Sequence, residues 1–189
     1  MVYTTGAIDS LQVSLGVARV IFTTDSPSVG LSQAGTARQF DAFIRSVQVK
    51  LIKLMGEVST MPEDWDRYTE KHKSIDEDDL HVLDKAVEIL DPLIDKGQRD
   101  WSIPGDHRNT ACLERARVDC RDAERQVLAL CEFWKFRDDT SSASPMTTIN
   151  VRRFSCTHKY LNRLSDILWM MARVLETHTT AVLDPHPKE

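Results

Sequence analysis

Residues 115 to 125 read RARVDCRDAER, the densest run of ionisable side chains in the chain. Arg117, Arg121 and Glu124 follow one another at intervals of four and three, so on a helix they share a face. The planar fork of arginine gives a phosphate paired, charge-assisted hydrogen bonds, and such a face suits a polyanion. Arg125 places a further guanidinium one turn beyond Arg121. The plainer alternative is a solvated helix face laced with ion pairs. A second polar group, Asn162, Asp166, Trp169 and Arg173, also has helical spacing, with Arg163 on the neighbouring face. Asn162 and Asp166 offer oxygens one turn apart for a ribose, an amide or magnesium, or for an ion pair between helices. Asp9 and Gln12 lie near the start of a first helix, where a carboxylate also meets unpaired backbone amides. Trp101, in the turn sequence WSIPGD, is either a lid over a ligand or a core plug.

Other chemistries lack their residues. The six histidines form no HExxH pair and no recognisable three-ligand cluster, so no structural zinc site is expected. Cys112, Cys120, Cys131 and Cys156 match neither a CxxC knuckle nor a disulfide scaffold and read as reduced thiols. There is no nucleophile-elbow serine, phosphate-binding P-loop or dinucleotide glycine fingerprint.

Helical periodicity recurs in five places and strand alternation in none, which predicts an all-α fold, a five-helix bundle. The first stripe is Ile8, Leu11, Leu15, Ala18 and Phe22; the second is Phe40, Ile44, Val47, Leu51, Leu54 and Val58. Residues 25–35 between them read as a loop. A capping box of Ser74 and Glu77 is expected to open a third helix through Leu80, Leu83, Val87 and Leu90, which Pro92 ends or kinks before Gly97. The fourth helix should run from about His107 to Phe136 on Cys112, Ala116, Cys120, Ala123, Val127, Leu130 and Trp134. The polar stretch 137–157 has neither period and reads as a long loop. The last helix, from about His158 to His178, packs through Leu161, Leu164, Leu168, Met171 and Leu175. One domain over 1–180 and a short tail over 181–189 follow.

The 189 residues carry 24 Lys and Arg against 29 Asp and Glu, a formal charge of -5 that disfavours a duplex nucleic-acid partner. No apolar run is long enough to span a bilayer, and MVYTTGAIDS has no character of a signal or transit peptide, so a soluble cytoplasmic protein without membrane partners is expected.

Two of these segments, RARVDCRDAER and YLNRLSDILWMMAR (160 to 173), resemble the ATP:corrinoid adenosyltransferases of the propanediol-utilisation type; GAIDSL from Gly6 and the WSIPGD turn match more weakly. The resemblance implies a homotrimer of five-helix bundles with a site between adjacent subunits. There the cobalt of reduced cobalamin attacks the ribose 5' carbon of magnesium ATP and expels triphosphate. It implies that Arg117 pairs with Asp9 and steadies the corrinoid side, that Arg121 holds triphosphate, and that Glu124 orients these arginines or the Mg2+-bound nucleotide. Asn162 and Asp166 would line the adenosine or the neighbouring subunit, with Arg125 among the ligand-binding arginines. Trp101 stands where the family has a phenylalanine under the corrin ring.

The chain also departs from the family pattern. Only Met1 to Thr5 precede its first helix, where the family carries a T-R-x-G-D-x-G-T nucleotide segment. Asp106 replaces the second glycine of the turn, Glu114 a histidine and Asp122 the second of two adjacent arginines. Three readings are thus open: an adenosyltransferase with weak or altered ATP use, a non-catalytic corrinoid-binding or carrier protein, and a helical assembly protein.

Overall fold

The computed structural model describes residues 1–24, 31–94, 104–105, 108–140 and 154–177, with backbone alone for 31–34, 135–140 and 177. Every regular element among them is helical: α1 (Val2–Thr24), α2 (Leu31–Ser59), α3 (Trp65–Thr69), α4 (Glu77–Leu90), α5 (Arg108–Thr140) and α6 (Ser155–Thr177). Short 3-10 turns at Pro62–Asp64 and Asp91–Leu93 adjoin α3 and α4. The all-α expectation holds, with six helices among the described residues where five were expected.

Each expected apolar stripe of α1, α2, α5 and α6 is buried in one core, while on α4 Leu80, Leu83 and Leu90 are buried and Val87 is half-buried. Side-chain bonds give the helix directions. Thr4 reaches the Gln126 carbonyl and Ser14 reaches Asp119, so α1 runs antiparallel to α5. Gln12 and Gln48 each donate to the other's backbone carbonyl at 3.0 Å, and with Thr5 against Ser59 and Arg19 against Asp41 on either side, α1 runs antiparallel to α2. Bonds from Cys120 to Leu161 and from Arg173 to Glu114 set α5 antiparallel to α6. Arg163 and Lys159 of α6 meet Asp84 and Glu77 of α4, which lie in the same chain order. Between Leu164 and Leu175 of α6, Asp166 alone is exposed and Trp169 is half-buried. A helix with neighbours on several sides is apolar nearly all round.

The boundaries correct the expectations at several points. Asp76, and not Ser74, caps α4: Asp79 N donates to Asp76 Oδ1 at 3.2 Å and Asp76 N to Asp79 Oδ2 at 3.3 Å. Both pairs have the same spacing, but capping at Asp76 puts Ile75 before the cap and Leu80 at the fourth helical position. These are the two positions a hydrophobic staple joins, and both are buried. Lys50 of α2 then pairs with Asp79. Pro92 stops α4 at Leu90, as expected, by way of the 3-10 turn. Helix α2 starts at Leu31, inside the expected loop, and α5 continues to Thr140.

The expected loop at 137–157 is helical at both ends. Helix α6 begins at Ser155 because Phe154 is buried and its carbonyl accepts from His158 N, while buried Thr157 donates to Glu57 of α2 at 3.4 Å. Helix α3 was not foreseen. Pro62 opens its approach, Trp65, Tyr68 and His72 stack in series, and Tyr68 Oη donates to the Lys53 carbonyl. Gly56 permits this seat: a Cβ there would lie 2.9 Å from the Tyr68 hydroxyl. Gly105, in the Pro-Gly turn before α5, has φ +126°, a conformation suited to glycine. Gly97 and the tail 181–189 lie outside the described residues.

The cap assignment has a direct test. Asp76→Ala should lower unfolding free energy by about 1 kcal/mol in urea titrations, whereas Ser74→Ala should stay within about 0.5 kcal/mol of the parent. The Lys73 ammonium, at 2.7 Å from Asp76, holds that carboxyl below its usual pKa. The contribution of Asp76 is therefore present above the ordinary carboxylate range and lost as pH falls through its depressed value.

Candidate functional site at the seam of α5 and α6

Helix α5 carries the arginine-rich face because its other side is filled: Cys112, Ala116, Cys120, Ala123 and Val127 are buried against α1 and α6. Alanine or cysteine at four of these positions lets the helices approach closely, which brings polar groups of α6 within reach of those on α5. Glu124 is buried, and its Oε1 accepts from Asn162 Nδ2 at 2.9 Å and faces His158 Nε2 at 3.2 Å. Glu124, expected to orient the arginines or the nucleotide, is bonded within the chain to Asn162 and faces His158. His158 stands at the expected start of the last helix, one turn before Asn162, but only its approach to Glu124 of α5 marks it as part of the seam.

The arginines differ in what they are bonded to. Arg117 is half-buried, and its Nε donates to Glu114 Oε2 at 2.6 Å. Arg125 is exposed and held by Asp122 at 3.0 Å. Arg121 is exposed and has no hydrogen bond or ion pair among the described residues; the same is true of exposed Asp166. The charges of these two groups act on one buried thiol. The Cys120 thiol, which donates to the Leu161 carbonyl at 3.2 Å, feels the charges of Glu124, Arg121, Asp166 and Asp119. Burial is the largest influence on it, the three carboxylates add to burial, and its pKa is pushed far above 9.0.

Asp9 and Arg117 do not meet within the chain. The bonds Thr4 to Gln126 and Ser14 to Asp119 put Asp9 level with the turn at Arg121 and Asp122, and Arg117 is committed to Glu114. A pairing of Asp9 with Arg117 would have to join two subunits. Asp9 is exposed on the rim of a cavity of about 540 Å³ lined also by Met1, Val2, Thr5, Gly6, Met55 and Ser59. Trp101, Asp106 and His107 lie outside the described residues.

Three polar groups escaped sequence reasoning as parts of the seam. Asp119 accepts from Ser14 of α1 and from Arg115 Nε at 2.9 Å. Glu114 and Arg173, 6% and 1% exposed, form a buried pair at 3.0 Å, and Arg173 also reaches Glu176 at 2.9 Å. Arg173 was visible only as a member of a mixed polar face. Its guanidinium lies 5.7 Å from the Trp169 ring centroid.

The site can therefore offer an anion the unbonded guanidinium of Arg121 and the Nη edge of Arg117, and can offer a hydroxyl or amide the exposed carboxylate of Asp166. That donor set fits a polyphosphate bearing a ribose. No group of three or more His, Cys, Asp or Glu able to hold a metal occurs among the described residues. No helix among them is long and apolar enough to cross a membrane.

The family profile of cobalamin adenosyltransferase matches residues 1–175, and the chain belongs to that family. No curated protein matches it. Membership brings cobalamin and ATP as the family's substrates.

Alkaline titration tests the burial of this seam. The folded Cys120 thiol ionises far above its unfolded value of 9.0, so its contribution to stability is full below pH 9 and declines as pH rises further. Cys120→Ala should flatten the fall in urea midpoint between about pH 9 and 10. An unchanged slope would contradict the burial. Iodoacetamide should label Cys120 last among the described thiols, because Cys112 and Cys120 are buried and Cys131 and Cys156 are partly accessible.

Proposed function

We propose that the protein is an ATP:corrinoid adenosyltransferase of the propanediol-utilisation type, transferring the 5'-deoxyadenosyl group of ATP to the cobalt of reduced cobalamin and releasing triphosphate. The observation that carries the proposal is Arg121: exposed, unbonded among the described residues, and flanked by Arg117 and Arg125, each held by a carboxylate.

Bound reduced corrinoid supplies the nucleophile, so the chain needs no nucleophilic side chain of its own. What the residues do is position and neutralise. Arg121 would take the triphosphate, whose negative charge grows as the carbon–oxygen bond to the ribose breaks. Arg117, oriented through its Nε, would present its Nη edge to the corrinoid side or to Asp9 of a neighbouring subunit. Asn162 has its amide nitrogen fixed by Glu124 and keeps its carbonyl oxygen for an adenosine donor. Asp166 would accept from a ribose hydroxyl or from water on a nucleotide-borne Mg2+. Holding the reactants in register supplies much of the rate.

The working form in this proposal is a cytoplasmic homotrimer of five-helix bundles, with α3 as an addition. The outer side of α1 supports an assembly: Val13, Val17 and Val20, at intervals of four and three, are 63%, 49% and 61% exposed, and Tyr3 is 82% exposed. Such a stripe on a surface helix marks a face that another chain covers. Trp101 would close the lower face of the corrin ring.

One observation favours a second reading, a corrinoid-binding or assembly protein without ATP use. Glu114 and Asp122 already neutralise Arg117 and Arg125, which leaves one arginine of three for a triphosphate.

Incubation with chemically reduced cobalamin and magnesium ATP distinguishes the two. The transferase should produce adenosylcobalamin and triphosphate in equal amounts, and Arg121→Ala should lower kcat/KM for ATP about 100-fold. Absence of product together with calorimetric cobalamin binding would support the carrier, and absence of both would leave the assembly role.

A further inference from the structure

A row of alternating charges runs from the candidate site into the core. Arg117 Nε donates to Glu114 Oε2 at 2.6 Å, Glu114 Oε1 accepts from Arg173 Nη2 at 3.0 Å, and Arg173 Nη2 reaches Glu176 Oε1 at 2.9 Å. We infer that Glu114, Arg173 and Glu176 are positioning residues that set the guanidinium plane of Arg117; this rests on the reading that Arg117 faces the corrinoid side of the site.

Both oxygens of Glu114 are engaged by different arginines, so its carboxylate has no rotation left that keeps both bonds. Its side chain is 6% exposed and that of Arg173 1%, so neither can relax into solvent. With its Nε–H fixed on Glu114, the planar guanidinium of Arg117 is fixed too, and its Nη1–Nη2 edge carries no bond among the described residues. The row thus begins at two carboxylates around a buried cation and ends at a half-buried cation with spare donors.

A purely structural role accounts for less. Two well-packed apolar residues at 114 and 173 would add as much stability to the contact of α5 with α6 as the buried pair does, though without its register, because desolvation offsets much of the attraction. What apolar residues could not supply is an acceptor for Arg117. Glu114 stands one turn before Arg117 on α5, and Arg173 comes from α6, so the orientation of Arg117 depends on how the two helices meet.

The test uses the full chain labelled with 15N and reads the arginine Nε–H resonances, with Arg117 assigned from its loss in Arg117→Lys. Solvent exchange of the Arg117 Nε–H should be slow in the parent and about tenfold faster in Glu114→Gln, where a neutral amide replaces the charged acceptor. Arg173→Met should speed the same proton, and Arg173→Lys should restore part of the protection. Should Arg173→Met fail to fold, Arg173→Lys and Glu176→Gln, the latter altering a carboxylate 22% exposed, carry the comparison. Folded Arg173 and Glu176 variants with parental Arg117 exchange would overturn the inference. In calorimetry, Glu114→Gln should weaken cobalamin binding about tenfold and leave the ATP Kd within about twofold; an equal loss for both ligands would overturn the selective role. Parent protein that binds no cobalamin but shows the expected exchange pattern would count against the proposed function and leave the positioning of Arg117 standing.

Discussion

A guanidinium that is 1% exposed near the C-terminal end of α6 has to be neutralised where it lies, and this requirement fixes how α5 meets α6. Arg173 receives Glu114 from α5 and Glu176 from its own helix, while Trp169 offers the face of its ring. Removing one member of such a pair costs about 3–5 kcal/mol, more than most single contacts in a core. The apolar stripes bring the helices together, but stripes alone tolerate sliding by a turn. The bond from Arg173 to Glu114, with that from Cys120 to the Leu161 carbonyl, admits one register.

That register decides which polar groups share the seam. It sets Asn162 and His158 against Glu124, and it leaves Asp166 as the exposed member of an otherwise buried stretch. On α5, a carboxylate holds each of Arg117 and Arg125, and Arg121 stands between them without a bond among the described residues. The negative charge of the chain is compatible with the anion site proposed above, which would use Arg121, unbonded among the described residues, and the edge of Arg117 rather than a broad basic surface. In a cobalamin adenosyltransferase, whose substrates include ATP, this is a sparing use of positive charge.

Much of the fold is legible in the sequence, for a physical reason. Stripes such as Ile8 to Phe22 and Phe40 to Val58 repeat every three or four residues over several turns, and burial enforces that repeat. Caps are less legible, since Ser74 with Glu77 and Asp76 with Asp79 satisfy the same spacing, and the burial of Ile75 and Leu80 separates them only in three dimensions. Short α3 depends on the space above Gly56, which a one-dimensional pattern does not contain. The site divides similarly. Arg121, Glu124 and Asn162 are visible as types at a spacing, and YLNRLSD carries a family resemblance. Glu114, Asp119, Arg173 and His158 are ordinary charged residues until the helices are assembled. Their partners lie on other helices or at spacings that any surface ion pair also uses.

The central claim is that the seam around Arg121 receives the phosphates of a nucleotide. Calorimetric titration with inorganic triphosphate tests it without requiring a reduced corrinoid. The account predicts saturable binding that weakens with added salt, competes with ATP and disappears in Arg121→Ala. Triphosphate binding that survives unchanged in Arg121→Ala, or no binding in the parent protein, would contradict it.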